Sequence, residues 1–141
     1  MLEKLKQNLD INRMANDNYE IWEPIIGDSG VLYFFELHNE MGALTIMLKK
    51  IGLLDKTLRI RFDGVLAYRV VQEAGRLKTI NDNPSLSTLN TSTNSKFLEW
   101  IKQESGGVFD DMELIHYAIC NSDNIIDVIS GPPVIVEWVS S

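Results

Sequence analysis

Residues 112–138 read MELIHYAICNSDNIIDVISGPPVIVEW, and their alternation decides the fold class. Two apolar runs, Glu113 to Cys120 and Ile125 to Ser130, flank the turn-forming residues Asn121, Ser122, Asp123 and Asn124, the pattern of a β-hairpin. Pairing Asn121 with Asn124 sets Cys120 opposite Ile125, Ala118 opposite Asp127 and His116 opposite Ile129. Side chains alternate between faces, so the register assigns every residue to a side. Ile115, Tyr117, Ile119, Ile126 and Val128 make one wholly apolar face. Leu114, His116, Ala118, Cys120, Ile125, Asp127 and Ile129 make the other, where titratable groups stand among apolar ones.

At 141 residues the chain is read as a single domain, 1–141, large enough to bury roughly two-thirds of its unfolded surface without disulfides or metals. Cys120 is the only cysteine, which excludes an internal disulfide and suits a reducing compartment. Neither a signal-peptide pattern nor a membrane-length apolar run is present, so a cytoplasmic protein is expected, without a membrane partner. Thirteen Lys and Arg against twenty Asp and Glu leave a net charge of −7 and a pI near 4.7. Clustered cations for a phosphate backbone are missing, which argues against nucleic acid; a basic protein partner suits the charge.

Outward from the hairpin, Asn94 or Ser95 caps a helix from Lys96 to Glu104 that Gly106 and Gly107 end. Its stripe of Phe97, Leu98 and Ile101, with Trp100 at the edge, is expected to lie on a sheet. Pro132 and Pro133 are expected to end the hairpin before a last strand, Val134 to Val139. Residues Ile80 to Ser95, rich in Asn, Ser and Thr, read as a long loop. The stretch TLRIRFDGVLAYRVVQEAG, from Thr57, reads as one long strand bent at Gly64: Leu58, Ile60, Phe62, Leu66, Tyr68 and Val70 share a face, and a hairpin at Asp63-Gly64 would mix both faces. Val31 to Leu37 and Ala43 to Lys49 read as a hairpin with His38 to Gly42 as its loop and Leu37 opposite Ala43. Leu32, Phe34, Leu44, Ile46 and Leu48 are then core. Val31, Tyr33, Phe35, Ala43, Thr45 and Met47 make the reverse side, apolar enough to need cover by the helix or a partner. Tyr19 to Glu23 is a short strand ended by Pro24, and Leu2, Leu5 and Leu9 give a short amphipathic N-terminal helix. The fold class expected is α+β, mainly antiparallel sheet with the Lys96 to Glu104 helix packed on it.

His116, Asp127 and Cys120 would be the start of a thiol nucleophile with its base and orienting acid. Cys120 stands two pairs from His116 on the same strand, about 13 Å away, too far for proton transfer. A core histidine bonded to a carboxylate is the better reading, with no catalytic residue assigned. His38 and His116 lie in different hairpins, and Glu36, Glu40, Asp110 and Asp111 show no ligand spacing, so neither metal nor cofactor is expected. Phosphate-loop and dinucleotide motifs are absent, and GDSG at Gly27 to Gly30 is a turn. The acids Asp110, Asp111, Glu113, Asp123 and Asp127 bracket the hairpin. A partner would be steered by Asp110, Asp111 and Asp123 and anchored by aromatic residues, the candidates being Trp100, Tyr33 and Phe35.

The segments IRFDGVLAYRVVQEAGRL (Ile60 to Leu77), SKFLEWIKQESGG (Ser95 to Gly107) and HYAICNSDNIIDVISGPPVIVE (His116 to Glu137) resemble small acidic bacterial immunity proteins of polymorphic toxin systems. From its first segment to its last the resemblance spans a little over half the chain, and it implies a non-catalytic intracellular protein that occludes a toxin's active site without a cofactor. Two other readings stand beside it. One is a small-molecule-binding protein or enzyme with a pocket between sheet and helix near His116 and Asp127. The other is a self-associating structural protein, a homodimer through Tyr33, Phe35 and Met47.

Overall fold

The protein is described from a computed structural model, over residues 17–25, 32–50 and 53–140. These form a seven-stranded antiparallel sheet: β1 Glu20–Ile21, β2 Leu32–Glu40, β3 Ala43–Lys50, β4 Leu53–Gln72, β5 Leu89–Ser92, β6 Ile115–Cys120 and β7 Asn124–Ser140. Their order across the sheet is β1-β5-β6-β7-β4-β3-β2. A 3₁₀ turn at Glu73–Arg76 leads into a short helix, α1 Leu77–Asp82, and α2 Lys96–Glu104 is the longer helix. The architecture is mostly antiparallel sheet and broadly α+β. Among the described residues no helix is long and apolar enough to cross a membrane. The expected N-terminal helix and the Gly27 to Gly30 turn lie outside the described residues, as does the side chain of Phe35.

The β6–β7 hairpin has the register that its alternation dictates, with His116 opposite Ile129, Ala118 opposite Asp127 and Cys120 opposite Ile125. Asn121 closes the turn through its own side chain, accepting from the Asp123 and Asn124 N–H groups at 2.9 and 3.0 Å, the local bonding that makes Asn a turn residue. β4 is one strand of 20 residues, as parity requires. It pairs with β7 for almost its whole length, Gly64 standing opposite Gly131.

At those two glycines the sheet folds over. Phe62 and Tyr68 are six residues apart on β4, about 20 Å in extended chain, and Tyr117 belongs to the row of Tyr68 through Val128. The Phe62 and Tyr117 rings nevertheless stand 5.1 Å apart, edge to face. Only a sharp bend brings them together. A Cβ on Gly64 would come within 3.3 Å of the Gly131 carbonyl oxygen, which is why glycine occupies the crease. Closure is reinforced where the Ser122 N–H donates to the Leu32 carbonyl at 2.8 Å. The inner face is thereby one buried cluster, with Leu44, Ile46, Leu58, Ile60 and Phe62 from one wing and Tyr117, Ile119, Ile126 and Val128 from the other. Each such fully buried large side chain stabilises the fold by about 1.5–3 kcal/mol relative to exposure.

The outer face carries a second cluster in which Phe97 and Leu98 of α2 meet Leu114 and Ile129. The helix has the predicted bounds. Ser95 caps it, its Oγ accepting from the Leu98 N–H at 3.1 Å.

Several expectations are corrected. Pro132 and Pro133 do not end the strand: β7 runs on to Ser140. β6 reaches only as far as Ile115 opposite Ser130, so beyond that point β7 pairs with β4 alone, and Pro132 and Pro133 fall at the register shift between Gly131 opposite Gly64 and Val134 opposite Phe62, an irregularity of the kind that tolerates proline. Leu66 does not share the Phe62 face. Pairing shifts between Phe62 and Gly64 and again between Val65 and Ala67, so Val65 joins the inner cluster and Leu66 the outer one. Ile80 to Ser95 is not one long loop: it holds the end of α1 and all of β5, which pairs with both β1 and β6. Tyr19 to Glu23 shortens to the two residues of β1.

The β2–β3 hairpin is tighter than its sequence suggested. Glu40, not Leu37, faces Ala43, and Leu37 faces Ile46. Met41 and Gly42, with φ of 50° and 84°, make a two-residue turn. An irregularity between Phe34 and Glu36 moves Leu37 onto the core side with Phe34. The reverse side is consequently polar rather than apolar: Thr45 lies beside Arg61 and His38, and Met47 beside Arg59 and Glu36. α2 does not cover it, because it sits over the other wing.

Candidate functional site

The mixed face of the β6–β7 hairpin carries a closed polar network. Asp127 and His116, both with no exposed surface, meet through Oδ1 and Nε2 at 2.6 Å. His116 Nδ1 stands 2.6 Å from the Oγ of Ser95, which is equally buried. On its other oxygen, Asp127 accepts from Arg69 Nε at 2.9 Å and from Arg76 Nη1. Arg69 comes from β4, opposite Asp127 in register; Arg76 comes from the 3₁₀ turn and is itself buried. A carboxylate only accepts, so the proton between Asp127 and His116 sits on Nε2, and the Ser95 hydroxyl, which accepts from the Leu98 N–H, is the partner of Nδ1. Rings enclose the imidazole: Tyr19 and Phe97 pack edge-on at 5.7 and 5.5 Å.

Burial acts to push the Asp127 carboxyl up, but the hydrogen bond and charge of His116 and the two guanidinium groups outweigh it and hold the group at about 2. Asp127 is therefore an anion in the interior. Burial pushes the Cys120 thiol the other way, to about 11, helped by the Asp127 charge, so it is protonated near neutrality. Burial and the neighbouring Asp17 carboxylate also raise the Tyr19 phenol, whose hydroxyl donates to Asp17 at 2.9 Å.

Ser95, His116 and Asp127 thus line up in the order of a hydrolase triad, yet the arrangement is not open to a substrate. The Ser95 oxygen is fully enclosed and bound to a helix N–H, and an attack on a carbonyl needs that oxygen exposed beside donors for the developing charge. Among the described residues no buried side-chain nitrogen or oxygen lacks a partner, and no cluster of acids, His and Cys could hold a metal ion. The network works as a tie between β4, β6, β7, the 3₁₀ turn and the α2 cap.

Above it, between the Arg76 to Asn83 segment and the start of α2, lies a cleft of about 490 Å³. Arg69, Arg76, Lys78 and Lys96 supply cations, and Phe97 and Trp100 an aromatic wall. His116, Asp127 and Tyr117 are not among its lining residues; Tyr117 belongs to the inner core.

The six proposed contact residues do not form one surface. Trp100 is half exposed on α2, and Asp110 and Asp111 are exposed in the turn that follows it. Asp123 is exposed at the opposite end of β6, about 20 Å along the strand. Tyr33 is half-buried on β2, opposite Lys49 on the polar reverse side. Arg69, Arg76 and Ser95 were not anticipated in the network. Ser95 was legible as a candidate helix cap but not as a partner of His116, and the arginines pair with Asp127 across 58 and 51 residues of chain. No known protein family, curated protein or solved structure matches the chain.

Proposed function

We propose that this chain is a non-catalytic binding protein that neutralises a bacterial toxin as its immunity partner in the cytoplasm. The observation that carries this reading is the turn after α2. There Val108 and Met112, 75% and 47% exposed, stand in the same short segment as the exposed acids Asp110, Asp111 and Glu113. Exposed apolar side chains among like charges suit a basic protein whose approach is steered by the acids and whose affinity comes from the apolar contacts. The net charge of −7 agrees. So does the sealing of Ser95, His116 and Asp127, which leaves them to rigidify the face on which α2 and this turn sit. Of the residues first singled out, Asp110, Asp111 and Trp100 belong to this end of the molecule; Asp123, Tyr33 and Phe35 carry no part of the proposal.

The test is co-expression with the product of the adjacent gene, expected to encode a toxin. A complex on size exclusion and protection of the host are expected. The double variant Val108→Asp, Met112→Asp should lose both while keeping its circular dichroism, and Asp110→Lys with Asp111→Lys should slow association in a salt-dependent manner. Neither complex nor protection with the wild-type chain would end the proposal.

A further inference from the structure

We propose that the cleft between the Arg76 to Asn83 segment and the start of α2 binds a phosphate monoester carrying a planar ring. The argument begins with charge. In a chain of net charge −7, this one cavity is lined by four cations, Arg69, Arg76, Lys78 and Lys96, against two acids, Asp17 and Asp82. Both acids are engaged. Asp82 accepts from Lys78 at 2.5 Å, and Asp17 accepts from the Lys96 backbone N–H and the Tyr19 hydroxyl, each at 2.9 Å.

Arg69 gives Asp127 only its Nε, which leaves the outer edge of its guanidinium for a ligand. Among the described residues, the Lys96 ammonium has no acidic partner. Even with Asp127 counted beneath the floor, the cavity keeps an excess of positive charge. A tetrahedral oxyanion presents enough acceptor oxygens to meet the arginine edge and the ammonium together, and charge-assisted bonds of this kind are the strong ones.

The second part of the argument is shape. Phe97 and Trp100 lie stacked, 5.7 Å between centroids and only 2° from parallel, and the Arg69 guanidinium sits 4.3 Å over the Phe97 ring. This gives a flat wall directly beside the cations, with Trp100 half exposed and ready to take a further ring. The volume of about 490 Å³ is within the usual range for small-molecule sites. An anion with a planar ring fills both halves; inorganic phosphate fills one, and an uncharged nucleoside the other. Apart from Trp100, none of its lining residues belongs to the partner surface proposed above.

The experiment titrates the full chain at low salt with AMP and with phenyl phosphate, following tryptophan fluorescence and confirming by calorimetry. Inorganic phosphate and adenosine are the comparison arms. Both esters are expected to bind, with phosphate and adenosine at least about tenfold weaker. Lys96→Glu and Trp100→Ala, at exposed positions, should each weaken AMP about tenfold with an unchanged urea midpoint. Absence of binding by both esters at millimolar concentration would overturn the proposal. So would equal affinity for phosphate alone, which would leave the aromatic wall unused, or binding indifferent to both substitutions, which would place it elsewhere.

Discussion

Replacing Asp127 with Asn removes one negative charge from a site with no exposed surface and changes the side chain's volume hardly at all. Three donors converge on the carboxylate: His116 Nε2, Arg69 Nε and Arg76 Nη1. An amide offers a single accepting oxygen, so at least one donor faces the amide nitrogen, and the buried Arg76 loses its counter-charge. Breaking a buried pair in this way costs about 3–5 kcal/mol, a large share of the ~5–15 kcal/mol that holds a domain of this size.

The same carboxylate gives the wild type a pH signature. An ordinary aspartate titrates at 3.8 and Asp127 at about 2, which at 1.36 kcal/mol per pH unit amounts to roughly 2 kcal/mol. Because the folded state holds the lower value, this stabilisation is fully present above pH ~4 and is lost as the pH falls through ~2. It is smaller than the cost of the Asn variant because protonation leaves both oxygens in place. Urea unfolding followed by tryptophan fluorescence at pH 7 should show the variant's midpoint lowered by about 2–3 M, taking a slope near 1.5 kcal/mol per molar. A pH series should show the variant missing the wild type's extra loss between ~4 and ~2. A variant within 1 kcal/mol of wild type at pH 7 would refute the claim that the network ties the sheet to its helix and turn.

Ser95→Ala removes the α2 cap and leaves His116 Nδ1 buried without a partner, and should cost about 2–4 kcal/mol by urea unfolding; Ser95→Thr, which keeps the oxygen, should recover most of it, and equal losses in the two would deny the hydroxyl its role. Gly64→Val sets branched carbons against the Gly131 carbonyl at the crease and should lower stability by about 1–3 kcal/mol; an unchanged thermal midpoint would mean that the sheet does not need the close approach there. Cys120, held protonated with its thiol at about 11, should react with iodoacetamide at pH 8 about a hundredfold more slowly than free cysteine, and its rate should climb until the pH passes that value. Labelling as fast as a free thiol would contradict its burial.

What was legible in the sequence is what short-range alternation encodes. The faces and register of β6 and β7 follow from eighteen neighbouring residues around one Asn-rich turn, because side-chain direction repeats every two residues and one face must be apolar. The ends of α2 follow from Ser95 and the two glycines, since capping is satisfied within a turn of the chain. Even the unbroken length of β4 was decided by parity against the strong local signal of Asp63-Gly64.

The misreadings share a cause. A bulge inserts one residue and reverses parity beyond it, and nothing in the local pattern at Phe35 or Leu66 announces one. β5 was hidden because its core positions include Asn90 and Ser92, buried polar residues. Asn90 is stable there because its amide donates to the Ser87 and Ala118 carbonyls and accepts from the Ser87 N–H, and the Ala118 carbonyl is in reach only once β5 lies beside β6.

The stretch from Met112 to Trp138 therefore carried its own hairpin and placed His116 and Asp127 on one side of it. Whether they were a reactive pair or a sealed one depended on Ser95, Arg69 and Arg76, which reach them from the α2 cap, a neighbouring strand and a distant turn. Hydrophobic periodicity is a local code, and it settles strands and helices. The charge state and accessibility of a buried carboxylate are set by whatever the folded chain brings against it, so the tertiary structure alone decided the network and the cationic cleft above it.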